Sequence, residues 1–501
     1  MNKRDHKRLK KRKGSLRKRL ERKNYPEQSE PMMKQEAISY EMGERTQAMG
    51  YGGIGAIHKL VGKVGLAEEI NGTVKVLKAH LPYHESDHVL NIAYNVMCGG
   101  QCLEDIERLR NDETYMNGVG AERIPDPTTA GDFARRFTQE SLIGLMEAIN
   151  TCRQKVWAYQ DEAFLDEAEI DVDGTIAETS GEFKEGMGLS YKGIWGYAPL
   201  IVTLAKTKEV LYIVNRPGNH TSSTGAVEWI DRAIYLVGGK FEKIRLRGDT
   251  DFSLTEHLDR WDERVTFTFG YDAHKNLIGL ADEIVEDQWK RLERPARYEV
   301  KTEPRQRREN VKEAIIKERE YKNYRLRSEE VAEFEYKPGK CKKSYRMVVI
   351  RKNLSVERGE SRLFDEIRYY FYITNDRTAT AAEVVAQANK RCDQENVIGQ
   401  LKSGINALRM PCDNLLSNWA YMVMATLSWN LKAWYGLMVD DVKKSGEIVS
   451  MEFKRFLTNF IQIPCQIVRS GRRLVYRILG YNDYLETFLR TFANLKETAL
   501  T

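Results

Sequence analysis

The stretch NKRCDQENVIGQLKSGI, residues 389–405, holds Arg391, Glu395 and Lys402 in the pattern R-x3-E-x6-K. At helical spacing Arg391 and Glu395 are i,i+4 neighbours. Lys402 lies about two turns beyond Glu395 and returns to the same face. Val397, Ile398, Leu401 and Ile405 recur at helical intervals and are expected to anchor this helix on a core. A carboxylate flanked by two cations suits a site that holds a metal and a phosphodiester together. The competing reading is an amphipathic helix with solvated ion pairs. Two upstream segments favour chemistry: IDVDGT (170–175) and RLRGDTDFS (245–253) each end a strand-like run in aspartate.

Residues 165–275 alternate strands and helices. AEIDVDGT is expected to be a strand ending at Gly174. YKGIWGYAPLIVTLAKT and VLYIVNRPG read as a hairpin. SSTGAVEWIDRAIYLVGG reads as a helix, KIRLRGDTDF (243–252) as a strand, SLTEHLDRWDERV as a helix and TFTFGYDA as a strand. Strand, strand, strand, helix, strand is the order of an RNase H-like core. In that fold one aspartate sits on the first strand and a second at the end of the fourth. Asp173, Asp249 and Glu395 are therefore the candidate ligands of a two-metal site, since magnesium takes hard oxygen ligands. A lone aspartate at a strand end is more often a turn former; three in order on the expected elements carry more weight.

The chain has 501 residues and 42% hydrophobic residues, enough for several domains and a large core. No run reaches the length and apolarity of a membrane span. The most apolar stretch, 419–438, carries Asn430 and Lys432 and is expected to be a buried helix. Seven cysteines, scattered and without C-x2-C spacing, argue against structural zinc and a disulfide framework. The net charge of +6 is unevenly placed: residues 1–23 contribute about +11, leaving the remainder near −5. Such a tail is expected to be disordered when free and to favour a polyanion.

The chain divides on this reading into a basic tail (1–30), expected to be disordered, and a helical domain (31–155) that suits DNA binding or a plain scaffold. A first part of the core (156–275), a β-rich insertion (276–365) and a second part with the Glu395 helix (366–440) come next, then a C-terminal region (441–501). In the helical domain IPDPTTAGDFARRF places Arg135 and Arg136 after an expected Thr128 or Thr129 N-cap, as candidate DNA contacts.

IDVDGT, RLRGDTDFS and RCDQENVIGQLK, with YHESDHVLNIAYNVMCGGQCLEDIERLR and IPDPTTAGDFARRF, resemble a bacterial insertion-sequence transposase of the DDE class. The branch is the one with a Y-x2-R-x3-E-x6-K signature and a β-rich insertion, and the likeness spans about residues 50 to 480. It implies an α/β protein with an RNase H-like core, and Asp173, Asp249 and Glu395 as catalytic metal ligands, with Asp171 and Asp251 as rivals for the aspartates. Arg391 and Lys402 fall on the signature positions that hold DNA phosphates. It implies two magnesium ions, with manganese able to substitute. The implied partners are terminal inverted repeats, target DNA and a second copy of the chain in a paired-end complex, and the implied location is the cytoplasm, on the nucleoid. Alternatives within this reading are a site-specific DNase that does not join strands and a catalytically dead DNA-binding regulator. The signature's tyrosine falls on Ala388, with Tyr369 or Tyr370 as conceivable substitutes. Trp289, in the insertion, is either a base-stacking platform or a core residue.

Overall fold

A computed structural model describes the chain apart from residues 1–2, 21–39, 41–46, 81, 182, 295–322, 359, 362–365, 471–472, 499 and 501. The strand-like runs form one large mixed sheet. Its main strands are β1 (Glu167–Gly174), β2 (Leu200–Leu204), β3 (Glu209–Val214), β4 (Lys243–Gly248) and β5 (Thr266–Tyr271), followed by β6 (Lys290–Arg291), β7 (Asn323–Tyr336), β8 (Tyr345–Arg358) and β9 (Glu366–Thr374). Their order across the sheet is β6-β7-β8-β9-β5-β4-β1-β2-β3. β1, β4 and β5 run parallel, β2 is antiparallel to β1, and β3 to β2. The segment read as an insertion therefore does not stand apart. Its long strands β7 and β8 continue the sheet, because β9 pairs with β8 on one side and β5 on the other.

α1 (Lys3–Leu20) lies against the C-terminal residues Ile478 and Gly480, and the helices around the sheet and its core are α2 (Glu85–Met97), α3 (Pro127–Ala134), α4 (Gln139–Ala158), α5 (Ala226–Gly238), α6 (Ala381–Lys390), α7 (Cys392–Gly399) and α8 (Leu415–Leu437). α8 is the apolar stretch expected to be buried, and it is buried on every side. It packs against α2, α4 and β3, so the helical region and the sheet share one core.

α8 also solves an edge problem. β3 ends the sheet, and a bare edge leaves backbone groups unpaired. The Asn430 amide accepts from Val210 N at 2.9 Å and donates to Val210 O at 3.0 Å. Trp419 and Trp429 donate their indole N–H groups to Ile213 O and Lys208 O. The polar residues of an otherwise apolar helix thus replace the missing neighbour strand. Beside them Glu209, fully buried, accepts from Arg153 at 2.9 Å, Trp157 at 2.9 Å and Trp434 at 2.7 Å. Arg153, also fully buried, donates a further bond to Val210 O. α4, β3 and α8 meet on this one carboxylate.

Two expectations need correction. The basic tail is not disordered throughout: Lys3–Leu20 is helical, and Arg12 donates to the carbonyls of Ile478 and Gly480 at 3.1 Å. Lys, Arg and Leu are good helix formers, and Leu9 gains a partly buried contact with the core. The remainder of the tail lies outside the described residues. The α3 cap is also not a threonine. Asp126 accepts from Thr129 N at 2.9 Å and Pro127 takes the first helical position, where its missing N–H costs nothing.

Glu209→Ala is expected to lower stability by about 3–5 kcal/mol, because it strands the buried Arg153 charge. The double change Arg153→Met with Glu209→Leu should recover much of that loss. Denaturant unfolding of the three proteins checks this; a Glu209→Ala protein as stable as wild type would contradict it.

Candidate active site

β1 carries two aspartates on one face, and the neighbouring strand separates them. Asp171 is buried and bidentate with Arg247 of β4, at 2.7 and 2.9 Å. That pair is closed: both partners are about 1% exposed, and Arg247 also reaches Glu169. Asp171 is thus a strut between β1 and β4. Asp173 lies two residues on, at the strand end, and receives Arg391 Nη1 at 3.0 Å.

Asp249 comes beside Asp173 through strand register. Val172 pairs with Gly248 in the parallel β1–β4 ladder, so the next residue on each strand is an aspartate. Asp249 caps the short helix Thr250–Phe252 by accepting from Asp251 N at 3.0 Å. Gly270 of β5 makes room for this turn. A Cβ there would stand 3.0 Å from Thr250 N and 3.3 Å from the Asp249 carbonyl carbon.

Glu395 sits on α7. Thr380 starts the preceding helix α6 with a capping box to Glu383. The path turns at Arg391 and ends in a wider turn over Gln400–Gly404. Val397, Ile398, Leu401 and Ile405 are all buried, as their spacing predicts. Gln394 fixes α7 to the sheet, donating to Asp171 O at 3.1 Å and Ile201 O at 3.0 Å. On a regular helix Glu395 and Lys402 lie within about 40° of Arg391 around the axis. Glu395 is exposed and does not close on the two aspartates. Among the described residues the only set of three acidic, histidine or cysteine ligand atoms within 4.8 Å of one another is His80, His84 and Glu85, at the start of α2.

The electrostatics of the aspartates are uneven. Burial pushes the Asp173 carboxyl up to about 6; Arg391 opposes this and Asp249 adds to it. Burial also raises Asp249, Arg391 opposes this, and Asp251 and Asp272 raise it further. Arg391 is itself raised: burial works against its charge, but Asp173 and Asp249 outweigh it. Crowded, half-desolvated carboxylates at adjacent strand ends fit a hard divalent cation, which relieves the repulsion that now favours protonation. Asp272, given no role from the sequence, adds its charge to this crowding. It follows β5, the third parallel strand, and the signal was the same as in the other two segments, an apolar strand run ending in aspartate.

The other expected residues lie elsewhere. Arg135 terminates α3 and pairs with Asp132 at 3.0 Å and Asp413 at 3.1 Å, tying that helix to the approach to α8. Arg135 and Arg136 are both exposed, and Arg135 holds these two surface ion pairs. Trp289 is 8% exposed, stacked on Tyr369 with the Arg351 guanidinium 4.4 Å from its ring, so it is core and no open platform. Tyr369 donates to Asp282 at 2.7 Å, and Tyr370 lies under Lys352.

Asp173 gives a signed pH expectation. Its folded value, about 6, lies above the unfolded 3.8, so its contribution to stability is full below 3.8 and is lost as pH rises through 6. Asp173→Asn should therefore gain on wild type between pH 4 and 6, by up to about 3 kcal/mol. Unfolding measured across that range checks it; a pH-independent difference would contradict it.

The family described as "Transposase DDE domain group 1" matches residues 43–500. A cryo-EM structure of a piggyBac transposase synaptic complex with hairpin DNA aligns with 83% of this chain and 84% of its own, at 10% identity and a TM-score of 0.34. No curated protein matches.

Proposed function

We propose, from the premise that the chain belongs to the transposase DDE domain group 1 family, that it binds the terminal inverted repeats of a bacterial insertion sequence, frees the 3′ ends and joins them to target DNA. The observation that carries this reading is the Arg391–Asp173 ion pair. It joins a helix to a strand end 218 residues away, beside a second aspartate. The strand order β3-β2-β1-β4-β5, with the parallel set β1, β4 and β5, supports an RNase H-like core.

Asp173, Asp249 and Glu395 would hold two magnesium ions, with manganese able to substitute. When bound, these supply charge stabilisation at the scissile phosphate and a more acidic nucleophile. Arg391 keeps Asp173 ionised and oriented at the strand end. Lys402 lines the cleft that begins at Gly174 and is placed for a DNA phosphate. Arg136 is the better candidate of its pair for DNA contact, since Arg135 is committed to Asp413. The basic face of α1 adds sequence-independent attraction to the duplex. The working unit is a homodimer holding two ends. A second reading, a regulator that occupies the ends without cutting, is kept open by one observation, Ala388 in place of the signature's tyrosine; magnesium-dependent cleavage of end-bearing DNA separates the two.

Glu395→Gln, Asp173→Asn and Asp249→Asn should each cut magnesium-dependent cleavage of end-bearing DNA by several orders of magnitude while DNA binding persists. Combining them should add little, because the three act as one unit. Cleavage by Glu395→Gln at the wild-type rate would remove Glu395 from the site.

A further inference from the structure

Next to Asp173 a cleft of about 530 Å³ opens, within the usual range for a small-molecule site. Its lining charges are unbalanced: Lys192, Arg216, Lys402 and Arg409 stand against Glu178. Arg216 is only 6% exposed. It donates to the carbonyls of Ala198, Ser222 and Thr224 at 2.7–2.8 Å, while its Nη2 has no partner. Burial alone lowers its affinity for the proton, to about 10, with no carboxylate set against that. A buried guanidinium without a counter-charge is costly, and an anionic ligand would offset the cost. Burial and the Lys192 charge depress Lys402, and Asp173 opposes them. Among its lining side chains the cleft is short of negative charge.

Its outer wall is aromatic. The hairpin between Gly188–Leu189 and Trp195–Tyr197 is closed by a turn in which Gly193 N donates to Ser190 O at 2.9 Å, with Gly193 at φ +72°. A second bond, from Ile194 N to Ser190 Oγ at 3.1 Å, fixes the tip. The tip presents Tyr191, 84% exposed, with Lys192 Nζ 5.4 Å from its ring. An exposed aromatic on a defined turn, facing a cationic cleft, has the parts of a single-strand nucleic-acid site: a ring on which a base stacks and cations that track the backbone. A duplex has no free base faces along its length, so the ring selects an unpaired nucleotide.

We propose that this cleft takes an unpaired nucleotide at the end of a DNA strand, its base stacked on Tyr191 and its phosphate among Lys192, Arg216 and Lys402. The proposal rests on the transposase reading and adds the site's preference for an opened strand end. Tyr191 and Lys192 lie at an exposed tip, so replacing them should leave the fold intact.

The test uses the full chain in metal-free buffer, with a blunt duplex and the same duplex carrying a short overhang that ends in a fluorescent adenine analogue. Wild type should bind the overhang about tenfold more tightly and quench the analogue by stacking. Tyr191→Ala should lose both effects and Tyr191→Phe keep both, with blunt-duplex binding equal in all three. Lys192→Ala should flatten the slope of log affinity against log salt for the overhang by about 0.7. Overhang preference and quenching that survive in Tyr191→Ala would overturn the proposal, as would wild type without preference. Magnesium-dependent cleavage by the same preparation reads the parent assignment separately. Cleavage without overhang preference removes the cleft proposal alone; absence of cleavage and of any duplex binding removes both.

Discussion

In the parallel ladder between β1 and β4, Val172 stands opposite Gly248, and on each strand the following residue is an aspartate. Two carboxylates are thereby held side by side by backbone hydrogen bonds, where side-chain packing alone would let them part. A shift of one residue on either strand would turn one aspartate to the other face of the sheet. The Asp171–Arg247 pair guards against that slip, since only the present register lets a buried carboxylate meet a buried guanidinium. The helix carrying Glu395 is then docked on β1 and its other neighbour, β2, by Gln394, whose amide donates to the carbonyls of Asp171 and Ile201. Strand register and helix position are thus fixed by neighbouring polar contacts under one layer of apolar side chains.

The rest of the chain supports that arrangement from a distance. β1 is held rigid because β2 and β3 are buried throughout, and β3 is itself closed by α8. The Glu209 carboxylate, shared by Arg153, Trp157 and Trp434, locks the closing helix to the strand it covers. The two aspartates stand at the end of a stiff sheet, and Glu395, the proposed third acid, stands on a separate helix. That division explains why Asp173 and Asp249 are already close while Glu395 remains exposed. Three carboxylates brought together without a cation would repel, and the pair already present is pushed toward protonation.

Much of this was legible in the sequence because it rests on short-range pattern. The strand runs of residues 167–271, the apolar stripe of Val397, Ile398, Leu401 and Ile405, and the buried α8 all follow from periodicity. What the pattern could not give depends on partners far along the chain. Asp171 and Asp173 share a face of one strand, and only Arg247 on β4 distinguishes strut from site. The partner of Arg135, Asp413, lies far along the chain and carries no signal in the sequence around Arg135. Trp289 looks available until Tyr369 and Arg351 cover it. That β7 and β8 extend the sheet follows from β9, which pairs with β8 and β5, and local pattern does not show it. Tyr191 carried no signal, because its meaning comes from the cleft it borders.

The ends of β1 and β4, with the α7 helix, are proposed to form one divalent-cation site. Replacing magnesium with ferrous iron and mapping oxidative breaks in the polypeptide tests it directly, since radicals generated at bound iron cut the nearest backbone. Breaks are expected around Asp173, Asp249 and Glu395, suppressed by excess magnesium and lost together in Asp173→Asn. Breaks confined to His80, His84 and Glu85, with none at the strand ends, would contradict it.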